Sequence, residues 1–464
     1  MQLTNLIYPL VLSGAFLLTG TSAWAQTTGQ DSIPNPALQE IPATPDLSQG
    51  QVLTLEQCLE IALAQSQTIR VADLEVKKVE YAKREAQGGL YPTIDFQLAY
   101  QRSIELQTIR MDMGGQSQSF KMGSDNTWNM GFNAQMPIIA PTLWKAIRMS
   151  DTQILANLES ARSSRLELID QVTRAYYSLL LAQSSREVIK QSYDIALFNA
   201  DLFSKMFSQG TASEYDVLRS SVQVKNMEPQ LLEADIAVKQ CLLQLKVLMG
   251  IDPEFDFAPA ITLESLERDV YGVLSELPSI DNNSSLRSLD IATKLARQNV
   301  DLKKFAYIPT IGVSYNLNWM SLSNGSPFKN QEFNPYSNVS LAVNVPIFSG
   351  LQRWNQVKQA QVQVKELELQ REQLVNSLRM QVELAIDNMN MEARQISSSK
   401  EGVHQADKAY EIVQKSFEIG AATYLELRDG ELARTSARLS YFQSIYNFLC
   451  SSSQLNLLIG KGVD

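Results

Sequence analysis

Few residues of this chain are suited to chemistry. His404 is the only histidine, and the cysteines are Cys58, Cys241 and Cys450. One imidazole cannot assemble a multi-histidine metal site, and thiols without a C-x-x-C spacing provide no zinc or iron–sulfur framework. All three cysteines fall in predicted helices, where a buried, small apolar side chain is the ordinary use of the residue. An odd number also prevents complete pairing within the chain in an oxidising compartment. Paired carboxylates, as in a glycosidase, are the remaining enzymatic reading. No acid pair has a pocket-forming context, and His404 lies among polar neighbours on a helix, so no catalytic, cofactor or metal site is expected. With 50 acidic against 40 basic residues, the net charge of −10 argues against nucleic acid, because holding phosphates takes clustered Lys and Arg.

The elements around these residues say more. Residues 1–25 carry no charged side chain, and the apolar stretch Leu6 to Leu18 runs into Ala23-Trp24-Ala25, a small-x-small cleavage site. About 13 apolar residues cannot span a bilayer, which takes roughly 20. Residues 1–25 therefore read as a signal peptide, although it lacks the usual Lys or Arg near Met1. No cysteine follows that would take a lipid. Residues 26–50 hold Pro34, Pro36, Pro42 and Pro45 without periodicity and read as an irregular leader. No later run is apolar enough for a membrane helix, so insertion into lipid would have to use strands.

Self-comparison reveals a duplication. Leu90-Tyr91-Pro92-Thr93-Ile94 recurs as Tyr307-Ile308-Pro309-Thr310-Ile311, and Met136-Pro137-Ile138-Ile139 as Val345-Pro346-Ile347-Phe348. Phe207-x-x-Gly210 recurs as Phe417-x-x-Gly420, and Met249-Gly250 as Ile459-Gly460. The four offsets are 217, 209, 210 and 210 residues. Residues 51–250 and 284–460 thus read as two copies of helix, strand, loop, strand, very long helix, turn and helix. An equatorial linker, 251–283, joins them, and 461–464 is a short tail.

Strands at 93–101 and 127–136 alternate strictly. Ile94, Phe96, Leu98 and Tyr100 are interleaved with Asp95, Gln97, Ala99 and Gln101, and Trp128, Met130 and Phe132 with Asn129, Gly131 and Asn133. The second half repeats this with Ile311, Val313, Tyr315, Leu317 and Trp319 and with Val339, Leu341, Val343 and Val345. Period two makes one face apolar, and the other face is mostly Asn, Gln, Ser and Gly. Such strands suit a transmembrane barrel or a soluble sandwich with one solvated face. Four strands cannot close a barrel, whose smallest type has eight, so a barrel would need several chains. Loops are expected over 105–126 and 322–335.

Thr142 to Gln209 contains neither Pro nor Gly and would make a helix of roughly 100 Å. Ile154, Leu158, Ala161, Leu168, Val172, Ala175, Leu179 and Ala182 follow 3/4 spacing, broken at Arg165. Val357, Val364, Leu367, Leu374, Leu378 and Ala385 form a matching seam in a helix over 351–419. A repeat near 3.5 residues marks coiled-coil packing. Gly210 and Gly420 reverse the chain into returning helices, the first of which Pro229 is expected to interrupt.

This pattern resembles the TolC-like outer-membrane efflux protein family over nearly all of the mature chain. The resemblance rests on the opening Leu53-Thr54-Leu55-Glu56-Gln57-Cys58-Leu59-Glu60-Ile61-Ala62, the doubled Tyr91-Pro92 and Ile308-Pro309 strand entries, and the Phe-x-x-Gly turns. Cys58 stands where that family usually has alanine. The resemblance implies a mixed α+β membrane protein and a homotrimer. Three chains with four strands each would form a shared twelve-stranded β-barrel in outer-membrane lipid, continuing into a long α-helical coiled-coil periplasmic tunnel. It also implies a passive exit duct of a tripartite efflux or type I secretion system in a Gram-negative cell, fed by a periplasmic adaptor and an inner-membrane pump of unspecified class. The alternative is a periplasmic structural coiled-coil protein without channel activity.

Carried over residue by residue, the resemblance points to a channel constriction at Glu426, Asp429 and Asp216. Glu426 and Asp429 stand three apart, on one helix face. Arg428 between them is a departure from the family pattern. Where the family places a tyrosine and an arginine that hold the tip shut, this chain has Phe417 and Ala422, leaving Tyr215 or Arg219 as substitutes. The turns 208–213 and 418–423, with Gly210, Thr211, Gly420 and Ala421, resemble the surfaces that adaptors grip.

Overall fold

The computed structural model describes residues 51–113, 116–271, 278–328 and 331–462. The expected signal peptide and leader, 1–25 and 26–50, lie outside the described residues. The described chain opens with a short strand β1 (Gln51–Leu53) and helix α1 (Leu55–Gln65). Thr54 caps α1 in a reciprocal box with Gln57, which satisfies two backbone donors that a helix start leaves free. Ser66, at φ −57° and ψ 129°, breaks the path before α2 (Gln67–Gly88). One first helix was expected, and there are two.

Next come β2 (Thr93–Arg102), β3 (Gln107–Met113), β4 (Gln116–Met122) and β5 (Asn126–Ile139). The long helix α3 (Pro141–Ser208) and returning helix α4 (Glu214–Met249) follow. A strand β6 (Phe257–Pro259) and a 3-10 segment (Leu263–Tyr271) lead to the second series. It consists of α5 (Ser284–Phe305), β7 (Thr310–Ser323), β8 (Asn334–Asn344), α6 (Gln352–Glu418) and α7 (Tyr424–Ile459). Corresponding helices match closely in length: 22 residues in both α2 and α5, 68 and 67 in α3 and α6, and 36 in both α4 and α7.

Two expectations are corrected. Residues 105–126 are not only loop, since β3 and β4 pair as an antiparallel hairpin from Gln107↔Met122 to Met113↔Gln116. Pro229 does not interrupt α4, which runs through it from Glu214 to Met249. The single backbone bond that a proline removes is outweighed here by packing along the rest of the helix.

The main sheet has the order β2-β5-β7-β8, antiparallel throughout. Its register joins the apolar positions into one face: Phe96 is opposite Phe132, and Phe132 opposite Leu317. The rings of Phe96 and Phe132 are 5.0 Å apart. That face is uncovered, with Ile94 70% and Val339 72% exposed. The opposite face carries a row of Asp95, Asn133, Asn316 and Asn338 in register across all four strands. Asn316 Nδ2 donates to Asn338 Oδ1 at 3.0 Å.

The main core lies where α1, α3, α4, α7 and the linker meet, around Ile61, Val172, Tyr176, Leu179, Leu245, Met249, Leu263 and Ile445. β6 pairs in parallel with β1, and the Tyr176 hydroxyl donates to the Leu53 carbonyl at 3.2 Å. Arg162 gathers the ends of several elements. Its guanidinium donates to Glu159 (2.7 Å), the carbonyls of Asn282 and Gly460 (both 3.0 Å) and the Ser284 hydroxyl (3.3 Å). Seventeen residues of α3 are buried but only six of α6, so within one chain α3 is central and α6 peripheral. Arg165, the break in the α3 seam, faces out to pair with Asp73 of α2 at 2.7 Å.

Candidate functional site at the hairpin tips

The two helical hairpins turn by the same local chemistry. Gly210 at φ 78° and Gly420 at φ 76° occupy the left-handed region, which a side chain disfavours. A Cβ at either position would meet nothing within 4 Å, so backbone conformation and not crowding calls for glycine. Beyond each turn a hydroxyl caps the returning helix. Thr211 N–H bonds back to the Met206 carbonyl at 2.9 Å, and Ala421 N–H to that of Ser416 at 2.8 Å. Gly210, Thr211, Gly420 and Ala421 are all exposed.

Asp216 and Glu426 are the third residues of these returning helices, and each closes a capping box. Asp216 accepts from the Ser213 hydroxyl at 2.6 Å, and Glu426 from the Thr423 backbone N–H at 2.7 Å and its hydroxyl at 2.9 Å. The bonds from Thr423 hold the Glu426 carboxyl below its ordinary value. Asp429 is exposed one turn further along α7. Both carboxylates project from one helix, while Arg428 is half-buried and acts electrostatically on Tyr424.

An aromatic cluster joins the two hairpins of the chain. Phe203 of α3 packs edge-on against Tyr424 of α7 at 4.9 Å and against Phe417 of α6 at 6.0 Å. Tyr410 and Leu427 complete the buried group, with Ala212, Val217 and Val413 beside it. The Arg219 guanidinium lies 5.7 Å from the Tyr424 ring centre. Phe417 makes apolar contact with Phe203 and Tyr424, and Arg219 of α4 contacts the Tyr424 ring of α7. Tyr215 is 67% exposed.

Sequence reasoning missed Phe203, Tyr410, Tyr424 and, above all, Glu431. Glu431 is 8% exposed, between α3, α6 and α7. Burial pushes its carboxyl up to about 7, opposed by Arg434 and a hydrogen bond from Ser192. The available signal was its 3/4 spacing from Tyr424 and Leu427, which places a carboxylate in an apolar seam.

Elsewhere, Cys58 is buried and Cys241 and Cys450 half-buried, all as free thiols. His404 is exposed. Among the described residues no helix is long and apolar enough to cross a membrane, and no group of His, Cys, Asp and Glu could hold a metal ion.

An antiparallel sheet with an uncovered apolar face, whose strands run on into helical hairpins with arms of nearly 70 and 36 residues, has the build of the outer-membrane channel-tunnels. The chain belongs to the outer membrane efflux protein family, whose model matches residues 58–251 and 279–461. It is 22% identical to the outer membrane protein TolC of Vibrio cholerae over 328 residues, 69% of this chain and 72% of that one. To TolC of Escherichia coli it is 23% identical over 362 residues, covering 73% and 70%. The crystal structure of the outer membrane protein VceC from Vibrio cholerae superposes with a TM-score of 0.67 at 16% identity, over 88% of this chain and 96% of that one. The protein is accordingly an outer-membrane transport protein of the TolC-like kind.

Proposed function

We propose that three copies of this chain form a passive channel through the outer membrane, exporting solutes that a periplasmic adaptor and an inner-membrane transporter deliver. The observation that carries this reading is the four-stranded sheet, apolar and exposed on one face, amide-lined on the other, with β2 and β8 as free edges. Unpaired edges in lipid are prohibitive, and closing three such sheets edge to edge removes them. Residues 51–250 and 284–460 would serve as the two repeats, joined by the linker 251–283. Both halves then supply a hairpin to the tunnel, and seam residues left half-exposed in α6, such as Val364 and Leu374, would be covered by a neighbouring chain.

At the tip, Glu426 and Asp429 would form acidic rings at the constriction, with Asp216 nearby on the other hairpin. The turns at Gly210, Thr211, Gly420 and Ala421 would meet the adaptor. Pump energy would come from the inner-membrane partner. The direct test is purification in detergent followed by planar-bilayer recording. A trimer mass by native mass spectrometry with discrete, cation-preferring conductance is expected. A protein that extracts without detergent and gives no conductance would instead be a periplasmic structural coiled coil.

A further inference from the structure

The buried carboxylate of Glu431 has no part in the channel reading above, yet it sits where the two hairpins meet. It is 8% exposed on α7, in a seam whose neighbouring positions Tyr424 and Leu427 belong to the apolar tip cluster. From α3 the facing group is the Ser192 hydroxyl, itself 3% exposed and 2.7 Å from the Thr435 hydroxyl. From α6 it is the phenol of Tyr410. On α7 itself, Arg434 lies beside Glu431 but is stacked 3.9 Å over the Tyr410 ring. Arg219 of α4 and Arg428 act on Tyr424. The Asp407–Arg438 pair, at 3.0 Å, ties α6 to α7 two turns further along. No ion pair within 4.0 Å neutralises Glu431 among the described residues, so its charge depends on whether water can reach it.

We infer that Glu431 is a proton-operated latch: protonated, it allows α7 to pack on α3 and α6 at the tip, and its ionisation favours separation of the hairpins so that water can solvate it. The inference rests on the channel reading for its consequence, gating, but not for the latch itself.

The direction follows from linkage. Burial raises the carboxyl from 4.5 to about 7, so the packed arrangement favours the neutral acid. Packing is fully favoured below pH 4.5 and loses ground as pH rises through 7. Beyond that the effect levels off, because both arrangements are then ionised. Between pH 5 and 8 the open-to-packed ratio should rise roughly 70-fold.

The test is hydrogen exchange of the full chain in detergent over segments 188–203 and 424–438, with intrinsic rates normalised at each pH. In the wild type, protection should fall from pH 5 to 7 and then plateau. Glu431→Gln should stay protected and flat, whereas Ser192→Ala, losing a bond that favours the charged form, should move the plateau to higher pH. A flat wild type, or a Glu431→Gln variant that titrates like it, would overturn the latch. If Glu431→Gln does not fold, the Ser192→Ala shift decides, and its absence overturns the latch equally. Planar-bilayer open probability should follow the same pH profile. A chain that titrates in exchange but never conducts would overturn the channel reading and support the latch.

Discussion

Arg219 on the first hairpin places its guanidinium 5.7 Å from the ring centre of Tyr424 on the second, and that same ring meets Phe203 edge-on at 4.9 Å. The pair joins two segments separated by the whole linker and a second set of strands. A cation over an aromatic face contributes about 0.5–1 kcal/mol at a partly exposed site, and the buried ring contributes more. Tyr424→Ala should therefore weaken the tip by about 3 kcal/mol, Arg219→Ala by about 1 kcal/mol or less, and Tyr424→Phe hardly at all. Single-channel recording checks this: Tyr424→Ala should raise the open fraction markedly, while Tyr424→Phe should behave as wild type.

Glu426 has two separable roles, a cap for α7 and a proposed charge at the constriction. Glutamine at this position can still close the box with Thr423, whereas alanine cannot. Glu426→Ala should cost about 1 kcal/mol of helix-start stability, and Glu426→Gln almost none. Combined with Asp429→Asn, Glu426→Gln should lower cation selectivity without lowering the melting temperature. Reversal potentials across a salt gradient measure this, and unchanged values would remove both residues from the constriction.

The thiol of Cys58 is pushed up to about 12 by burial in the main core. A raised pKa means that the folded state holds its proton more tightly than the unfolded chain. The Cys58 contribution to stability is then constant below about pH 9 and declines as pH rises from there toward 12. Alkylation of Cys58 at pH 8 should be undetectable in the folded protein and rapid in denaturant. Cys241 and Cys450, half-buried, should react at intermediate rates, as peptide mapping by mass spectrometry would resolve.

Arg162 bonds to the end of α7, the last linker residues, the start of α5 and the buried carboxylate of Glu159, which is 7% exposed. Arg287, 3.5 Å from Glu159, is the only other cation paired with that carboxylate among the described residues. Arg162→Ala strips the buried acid of its nearer partner and frees two carbonyls. A loss of about 3 kcal/mol is expected. Thermal unfolding in detergent should record it, and a double variant with Glu159→Gln should recover part of the loss.

Much of this protein was legible along the chain because its periodicities are long and its landmarks doubled. Strict alternation marked β2, β5, β7 and β8, and 3/4 spacing over dozens of residues marked α3 and α6, since one face of each element must be apolar. Gly210 and Gly420 announced the hairpin turns, because a tight helix reversal needs left-handed backbone. Other features depended on residues distant in sequence. The β1–β6 ladder has three residues a side, too few for any pattern. The β3–β4 hairpin was passed over although Ile109, Met111 and Met113 alternate with Arg110 and Asp112, because its partner strand opens on the polar run Gln116 to Ser119. Pro229 looked like an interruption because its penalty is local, whereas the packing that overrides it is not. The family resemblance suggested that Glu426 and Asp216 lie at a constriction, but the fold also engages both in helix caps. Glu431 looked like any other acid until α3 and α6 were seen to close over it. Spacing along one helix determines which face a residue shares, and only the packing of helices decides whether that face meets water.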